Sequence, residues 1–280
     1  MFDFDRLIER RGTHASKWDN MQKLSGIDPA DGIPMWVADM DFGAPPGVVE
    51  ELRAFVDRGV YGYYADTGSW AEALAAWTGK RHGWTPEPGW VSPTPGIVSG
   101  LGLIMQALSE PGDEIVVFPP AYHAFRRIIA NNNRRILDAQ LEERQGRYVM
   151  NLDALGDKLT ERTKIVFFCS PHNPGGTVWS IEEIRALAQF CADRDLILVS
   201  DEIHCDLVFE GAKHTPTIVA APEVKDRLIT CVAATKTFNL AGAHVGACVT
   251  SNPEFKARLD QRIAASSLAS YNAFGMIATE

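Results

Sequence analysis

The amino-acid sequence predicts an α/β fold, in which a mostly parallel sheet is covered by helices on both faces. Short apolar runs alternate with stretches of helical pattern between residues 96 and 235. Such alternation is typical of βαβ units, because parallel strands are joined by helical crossovers and are buried on both faces. The chain has 280 residues, of which 46% are hydrophobic, so it can bury a large core without disulfides or structural metals.

The individual elements follow from the apolar runs and from the positions of Pro and Gly. Residues 46–84 have a helical pattern, interrupted by a Gly/Tyr run at 60–68, and residues 86–95 are expected to form a loop. A helix is expected from Gly96 to Pro111-Gly112, since both residues end helices. The predicted strands that follow span 114–118, 134–141, 164–170, 196–203 and 228–235.

Two further helices are indicated towards the end of the chain. Ser180 and Glu183 form a capping box that begins a helix between two predicted strands. The last segment, 255–280, is helical in pattern and contains no stop signal before the end of the chain. We therefore expect one long helix there, and a chain that ends within a larger architecture.

Composition excludes several classes of function. Lys and Arg number 27 against 36 Asp and Glu, so the net charge is −9, and neither nucleic acid nor an anionic membrane is expected as a partner. No stretch of about 18 apolar residues is present, and the polar N-terminus lacks an apolar signal core. The five cysteines are scattered and odd in number, which argues against a disulfide framework or a metal site. A cytoplasmic protein is expected.

Chemically distinct side chains follow successive strands. Tyr122 comes after the strand at 114–118, Asn173 after 164–170, Asp201 within 196–203, and Lys236 after 228–235. Ligands of open α/β sheets bind at the carboxyl ends of the strands, so these groups are expected on one rim. The helix start at 96–99 faces the same region, and its free N–H groups suit a phosphate.

Each of these features also has an ordinary structural explanation. The PHNPGG run at 171–176 can be a turn, and Asp201 can cap a helix. Lys236 can be a surface lysine, and Tyr122 a half-buried core aromatic. The combination is more specific, because pyridoxal 5′-phosphate (PLP) requires a lysine for its Schiff base, an acid at its pyridine nitrogen, a phosphate cradle and a group against its ring.

Three sequence runs resemble the fold-type I PLP-dependent enzymes, and specifically the cystathionine β-lyase (cysteine-S-conjugate β-lyase) branch of the class I/II aminotransferases. These runs are SPHNPGGTVW, VSDEIHCDLVF and ATKTFNLAG. Similar runs occur earlier in the chain, namely KWD, PMWVADMDF, YGY and WTGKRHGW. The resemblance implies a PLP-dependent transferase-like large domain with a mostly parallel sheet.

The resemblance also implies roles for individual residues. Lys236 forms the Schiff base, Asp201 pairs with the pyridinium nitrogen, Asn173 bonds the ring 3′-oxygen, and Tyr122 stacks on the ring. The expected phosphate-binding residues are Gly96, Ile97 and Val98, through their backbone, and Thr235. Tyr63 resembles a tyrosine that reaches the phosphate of a neighbouring subunit, which implies a homodimer with shared active sites.

The same resemblance favours a carbon–sulfur β-lyase, which cleaves L-cystathionine or other cysteine S-conjugates to a thiol, pyruvate and ammonia. His204 is expected to be one of the cofactor-binding residues. As the histidine of the DEIH run it also favours the lyase, because many aminotransferases of this fold carry a tyrosine at the position of His204. His204 can equally be a strand-end histidine without a catalytic part. An aminotransferase and a non-catalytic regulatory protein remain the alternatives.

The sequence departs from the family pattern in three respects. Ala233 stands where relatives often carry a phosphate-binding serine, and His244 where aspartate aminotransferase-like enzymes carry an arginine. We expect residues 1–45 to form an N-terminal arm and residues 46–280 the PLP-binding large domain, truncated at its C-terminus. The small C-terminal domain, with the arginine that grips the substrate carboxylate, is then expected to be absent from these residues.

Overall fold

The computed structural model describes residues 3–280, so the first two residues of the expected N-terminal arm lie outside it. The strands of the described residues, in chain order, are β1 (Val91–Thr94), β2 (Glu114–Val117), β3 (Arg135–Asp138), β4 (Glu142–Arg144), β5 (Arg147–Val149), β6 (Thr163–Cys169), β7 (Ile197–Asp201), β8 (Leu228–Val232) and β9 (Gly246–Val249).

Helices alternate with these strands. In chain order they are α1 (Ser16–Asp19), α2 (Met21–Ser25), α3 (Pro46–Asp57), α4 (Gly68–His82), α5 (Ile97–Leu108), α6 (His123–Asn131), α7 (Leu152–Gly156), α8 (Ile181–Asp193), α9 (Thr217–Ala220), α10 (Ala234–Thr237), α11 (Pro253–Ala265) and α12 (Ala273–Thr279). Short 3₁₀ helices span Pro88–Trp90, Pro222–Arg227 and Ala241–Ala243. Among residues 3–280, no helix is both long enough and apolar enough to cross a membrane.

A mostly parallel sheet organises the molecule, as the sequence predicts. Its strand order is β1-β9-β8-β7-β6-β2-β3, and β4 and β5 form a separate hairpin. The strands from β3 to β8 in this order pair in parallel, whereas β9 is antiparallel to both of its neighbours. The carboxyl ends of β2, β6, β7 and β8 therefore meet at one edge.

The sheet is covered on both faces, and the side chains of its central strands alternate between two cores. In β6, Ile165 and Phe167 pack in the core that contains α5, α6 and α11. Their neighbours Val166 and Phe168 pack in the opposite core, which contains α8. All four are almost fully buried, and the alternation is the period of two that a strand imposes on its side chains. This explains why the strands are apolar throughout.

The two strands β1 and β9 at the antiparallel edge of the main sheet were not predicted from the sequence, and neither was the β4–β5 hairpin. Residues 86–95 were expected to form a loop, but they contain β1, which pairs with β9 along its whole length. Pro93 lies in β1, and this position is compatible with a proline because β1 is an edge strand. Both strands are buried although they are short and contain Ser, Pro, Thr and Gly. The two strands are stabilised by pairing with each other, and the local sequence of either one does not indicate a strand.

Several predicted element ends need correction. The strand expected at 134–141 spans only Arg135–Asp138. The strand expected at 228–235 ends at Val232, and α10 begins at Ala234; the strand expected at 196–203 ends at Asp201. The single helix expected at 255–280 is instead two helices, α11 and α12. Ser267 has a left-handed backbone (φ 56°), which cannot continue a helix. The capping box of Ser180 and Glu183 is confirmed at the start of α8.

The packing of α12 yields a stability prediction. A Cβ atom at Gly275 would lie 2.2 Å from the carbonyl oxygen of Ala243, so Gly275→Ala must displace α12 from the backbone it contacts. We expect it to lower the free energy of unfolding by about 1–3 kcal/mol in a urea titration. The helical control Gly47→Ala meets no atom within 4 Å, and should leave stability unchanged or raise it. Equal effects of the two substitutions would contradict the packing described.

Candidate active site

A cavity of about 520 Å³ opens at the carboxyl edge of the sheet. Nine of the ten residues singled out from the sequence line it: Gly96, Ile97, Val98, Tyr122, Asn173, Asp201, His204, Thr235 and Lys236. They come from the carboxyl ends of four strands (β2, β6, β7 and β8) with the segments that follow them, and from the start of α5. The fold therefore brings these groups together, as the parallel topology predicts.

Tyr63 is the tenth residue, and it does not line this cavity. It lies between α3 and α4, and 94% of its surface is exposed. Its expected role at a neighbouring subunit's phosphate stays a prediction.

Lys236 is placed by the abrupt end of β8. Ala233 is fully extended, and the short helix α10 then turns the chain so that Lys236 lies at the rim. Its Nζ atom donates a hydrogen bond of 2.7 Å to the carbonyl oxygen of Ala38 in the N-terminal segment. Burial lowers the pKa of Lys236, while the negative charges of Asp39 and Asp201 oppose this effect. A lowered pKa suits an amine that must act as a nucleophile or base.

Asp201 is the last residue of β7 and is 6% exposed. Its Oδ1 atom accepts a hydrogen bond of 3.2 Å from the backbone N–H of Ile203. Burial raises the pKa of Asp201 to about 7; the bond from Ile203 and the charge of Lys236 work in the opposite direction. A cationic group brought against this carboxylate would favour its ionised form.

Behind Asp201 lies a second buried carboxylate, which the sequence analysis did not single out. Glu202 accepts hydrogen bonds from the Ser200 hydroxyl (2.9 Å) and from the backbone N–H of Thr217 (2.9 Å), and it pairs with His214 at 3.1 Å. Glu202 and His214 are 1% and 3% exposed. None of the three residues that hydrogen-bond to the Glu202 carboxylate lines the cavity, so Glu202 supports the end of β7 rather than a ligand. The DE dipeptide alone does not distinguish these two carboxylates.

Asn173 and Tyr122 have polar groups that remain available. Within residues 3–280, neither the Asn173 side-chain amide nor the Tyr122 hydroxyl makes a hydrogen bond to the protein. Tyr122 immediately precedes α6 and is partly buried. Burial raises the pKa of its hydroxyl, and the charge of Asp201 adds to the effect. Tyr122 therefore stays a neutral phenol at neutral pH.

The start of α5 forms an anion-binding element. Gly96 is the N-cap residue and has φ 79° and ψ 163°, a conformation that residues with a Cβ atom rarely adopt. The first-turn N–H groups of Ile97 and Val98 have no acceptor within the helix. A Cβ atom at Gly96 would lie 3.9 Å from Nδ1 of His244, so the imidazole stands beside this turn. The N-terminal end of a 12-residue helix also favours negative charge through its dipole.

His204 lines the same cavity from the loop after β7. Burial lowers the pKa of its imidazole, and the positive charge of Lys236 lowers it further. This ring is thus favoured in its neutral form. Whether it takes part in chemistry or only packs there stays a prediction.

The residue after Lys236 is anchored by Asp206. The Asp206 carboxylate accepts hydrogen bonds from Thr237 (2.9 Å) and Trp77 (3.0 Å), and it contacts Nε2 of His82 at 2.9 Å. Burial works to raise the pKa of Asp206, but these three hydrogen bonds hold it at about 2. Together with Cys205, His82 and Asp206 have a spacing that could hold a metal ion. The donors already gathered on the carboxylate make a structural anchor the better explanation.

The groups of the cavity fit PLP. Asp201 has a carboxylate oxygen with no donor among residues 3–280, as a protonated ring nitrogen requires. Asn173 offers an uncommitted amide, Gly96 begins a helix whose N–H groups suit a phosphate, and Lys236 offers a primary amine at the rim. Each requirement of the cofactor that the sequence analysis set out has a side chain or backbone group of the matching chemistry.

The comparisons with known proteins place the chain in a family. Residues 31–277 match the family described as aminotransferase class I and II, so the chain belongs to that family. It is 38% identical to the cystathionine β-lyase PatB of Bacillus subtilis, over 99% of this chain and 72% of PatB. It is 31% identical to the protein MalY of Escherichia coli, over 77% of this chain and 55% of MalY.

A solved structure supports the same fold. Cystalysin of Treponema denticola, whose crystal structure contains a pyridoxal 5′-phosphate cofactor, superposes with a TM-score of 0.94 at 31% sequence identity. The match covers 100% of this chain and 71% of cystalysin. The α/β fold predicted from the sequence is therefore confirmed, as is the family resemblance.

The raised pKa of Asp201 predicts a pH dependence of stability in the cofactor-free protein. Its ordinary pKa is 3.8 and its folded pKa is about 7, so the folded state binds the proton more tightly than the unfolded state. This contribution is complete below pH 4 and is lost as the pH rises through 7. Relative to Asp201→Asn, the wild type should lose on the order of 4 kcal/mol of unfolding free energy between pH 4 and pH 8.

Urea titrations of both proteins at several pH values measure this difference. Asp157→Asn, at an exposed position, is the matched control and should keep the pH dependence of the wild type. A constant difference between the wild type and Asp201→Asn over this pH range would contradict the assignment.

Proposed function

We propose that this chain is the cofactor-binding part of a PLP-dependent carbon–sulfur β-lyase, which cleaves L-cystathionine or other cysteine S-conjugates to a thiol, pyruvate and ammonia. The observation that carries the proposal is the convergence of Lys236, Asp201, Asn173 and Tyr122 on one cavity beside the start of α5. The identity of 38% to a cystathionine β-lyase supports the choice of reaction within the family.

The residues that would hold the cofactor differ in what each contributes. Lys236 supplies the amine that binds it covalently, and the backbone of Gly96, Ile97 and Val98 holds its phosphate with help from Thr235. Asp201 as a carboxylate keeps the ring nitrogen protonated, because an adjacent negative charge favours a cation. Asn173 donates to the ring oxygen, Tyr122 packs on the ring, and His204 lines the site. When bound, PLP supplies an electron sink for negative charge at the substrate α-carbon.

Lys236 also moves the proton on which the reaction depends. Once its amine is free, the Nζ atom can accept the α-proton of the amino acid, since burial has lowered its pKa. The electron pair left at the α-carbon then expels a thiolate from the β-carbon. The partial burial of Lys236 limits the access of water to the reacting atoms.

Transamination is the alternative activity, because the proton abstraction by Lys236 is shared by both reactions. His204 in the DEIH run supports the lyase, and PatB is described as a cystathionine β-lyase. Detection of an α-keto acid other than pyruvate, without a thiol, would identify an aminotransferase instead.

We also propose a homodimer that shares its active sites. Tyr63 and two apolar residues of the N-terminal segment, Leu7 and Met35, are each nearly fully exposed in the single chain. Burying such apolar surface against a second subunit is favourable, and the resemblance assigns Tyr63 to the neighbouring subunit's phosphate site. The division into an arm (1–45) and a large domain (46–280) belongs to the same proposal. A cytoplasmic location is supported by the five buried cysteines, all of which are free thiols.

The activity itself is tested with L-cystathionine and added PLP. We expect the wild type to release homocysteine, pyruvate and ammonia in equal amounts, and Lys236→Ala to lose activity by roughly 10²–10⁴-fold or more, because its base and cofactor attachment are gone. The control Lys164→Ala removes an exposed lysine of β6 and should keep wild-type activity. Wild-type activity in Lys236→Ala, or PLP bound by the wild type without any product, would contradict the proposal.

A further inference from the structure

The three residues after Lys236 are each anchored to a different part of the molecule. Thr237 bonds to Asp206, and the ring of Phe238 packs against Trp77 with centroids 5.0 Å apart. Asn239 contacts the N-terminal segment, 199 positions earlier in the chain. The first two anchors hold the turn itself, whereas the third joins that turn to a segment from the start of the chain.

The Asn239 amide is fully engaged by the backbone of this segment. Its Oδ1 atom accepts a hydrogen bond from the N–H of Met40 (3.0 Å). Its Nδ2 atom donates to the carbonyl oxygens of Met40 (2.8 Å) and Phe42 (3.0 Å). An asparagine whose donors and acceptor are all used in this way behaves as an additional strand partner for the segment.

The backbone of Asn239 explains why an asparagine is suited to this position. Its φ is 57°, in the left-handed region, which Asn adopts more readily than most residues with a Cβ atom. The left-handed backbone therefore directs the Asn239 amide towards the segment. A residue with a helical or extended backbone at this position would direct its side chain elsewhere.

The segment that Asn239 holds forms one wall of the cavity. Trp36, Val37 and Ala38 line it, and Ala38 accepts the hydrogen bond from Lys236 Nζ. Ion pairs hold the next residues from the other side: Arg10 bonds to Asp39 and Asp41, and Lys17 bonds to Asp41 at 2.6 Å. Residues 36–42 are thus fixed between charged residues of the arm and the Asn239 amide.

This wall lies beside the amine of Lys236, where an amino-acid substrate must approach. The groups assigned to the cofactor ring and phosphate come from strand ends and from α5, and none comes from residues 36–42. A substrate amine must approach Nζ of Lys236 to replace it, and the Ala38 carbonyl lies 2.7 Å from that atom. A substrate amine that approaches Nζ should therefore contact the backbone of residues 36–38.

We propose that Asn239 is a positioning residue for the substrate side of the site: by holding the backbone of Met40 and Phe42, it keeps residues 36–38 against Lys236. The proposal rests on the PLP-dependent function proposed above. It assigns to Asn239 an effect on amino-acid binding and little effect on cofactor binding.

The test compares three variants of the holoenzyme. Asn239→Gly keeps the left-handed backbone accessible and removes the amide. Asn239→Asp keeps the shape but replaces the two donated hydrogen bonds by repulsion between a carboxylate oxygen and two carbonyls. The control Asn133→Gly removes an asparagine that has the same φ of 57° but lies outside the cavity.

Three measurements separate the outcomes. The first is hydrogen exchange of a peptide covering residues 34–42, which reports on the Met40 amide. The second is the pair of kinetic constants KM and kcat, measured with L-cystathionine. The third is the affinity for PLP, measured by visible absorption. Both Asn239 variants should exchange this peptide about 10-fold faster, since Asn239→Gly loses all three hydrogen bonds and Asn239→Asp loses the two that Nδ2 donates. KM should rise roughly 10-fold while kcat and PLP affinity change by less than about threefold, the pattern of lost substrate binding. The control should match the wild type in all three.

Several results would overturn the proposal. Unchanged exchange of residues 34–42 would show that Asn239 does not hold the segment. Faster exchange with an unchanged KM would show that the segment does not border the substrate, and a loss of PLP affinity alone would place Asn239 with the cofactor. If the wild type releases no thiol, the proposed lyase fails, and amino-acid binding measured from the change in cofactor absorption still decides the role of Asn239.

Discussion

The parallel pairing of β6, β7 and β8 is the constraint on which the site depends. Asp201, at the end of β7, is paired in register with Cys169 on one side and Cys231 on the other. Asn173 and Lys236 follow the two flanking strands at similar short distances, so a slip of either strand would move one group away from the carboxylate. Because both faces of these strands are buried, a slip would also expose apolar side chains, and the register is strongly specified.

The sheet determines the position of the Lys236 backbone, because Lys236 follows the end of β8. Contacts outside the sheet determine the orientation of its side-chain amine. Thr237, Phe238 and Asn239 follow the lysine, and they are held by Asp206, by Trp77 and by the backbone of residues 40–42, respectively. The buried Glu202 supports Asp201 from behind in the same way, through Ser200, Thr217 and His214. The reactive groups thus have few partners of their own, while their immediate neighbours in the chain are fully bonded. This arrangement keeps reactive groups free and still well placed.

Much of the fold and most of the site could be predicted from the sequence, because both depend on local signals. The apolar runs identify the buried parallel strands, and the polar residue that follows each run identifies the rim. Short strands such as β1 and β9 could not be predicted, since their burial comes from pairing between segments about 150 residues apart. The supporting roles of Asp206 and Asn239 were missed for the same reason. Their partners are distant in sequence, and an aspartate or asparagine near a turn has ordinary local explanations.

We propose that this chain builds a PLP site around Lys236. Reduction of the PLP-loaded protein with borohydride, followed by peptide mapping by mass spectrometry, tests it most directly, because the reduced product stays attached to the lysine that carried the cofactor. We expect one modified peptide, with the label on Lys236. Labelling spread over exposed lysines such as Lys164, or no labelling at all, would contradict it.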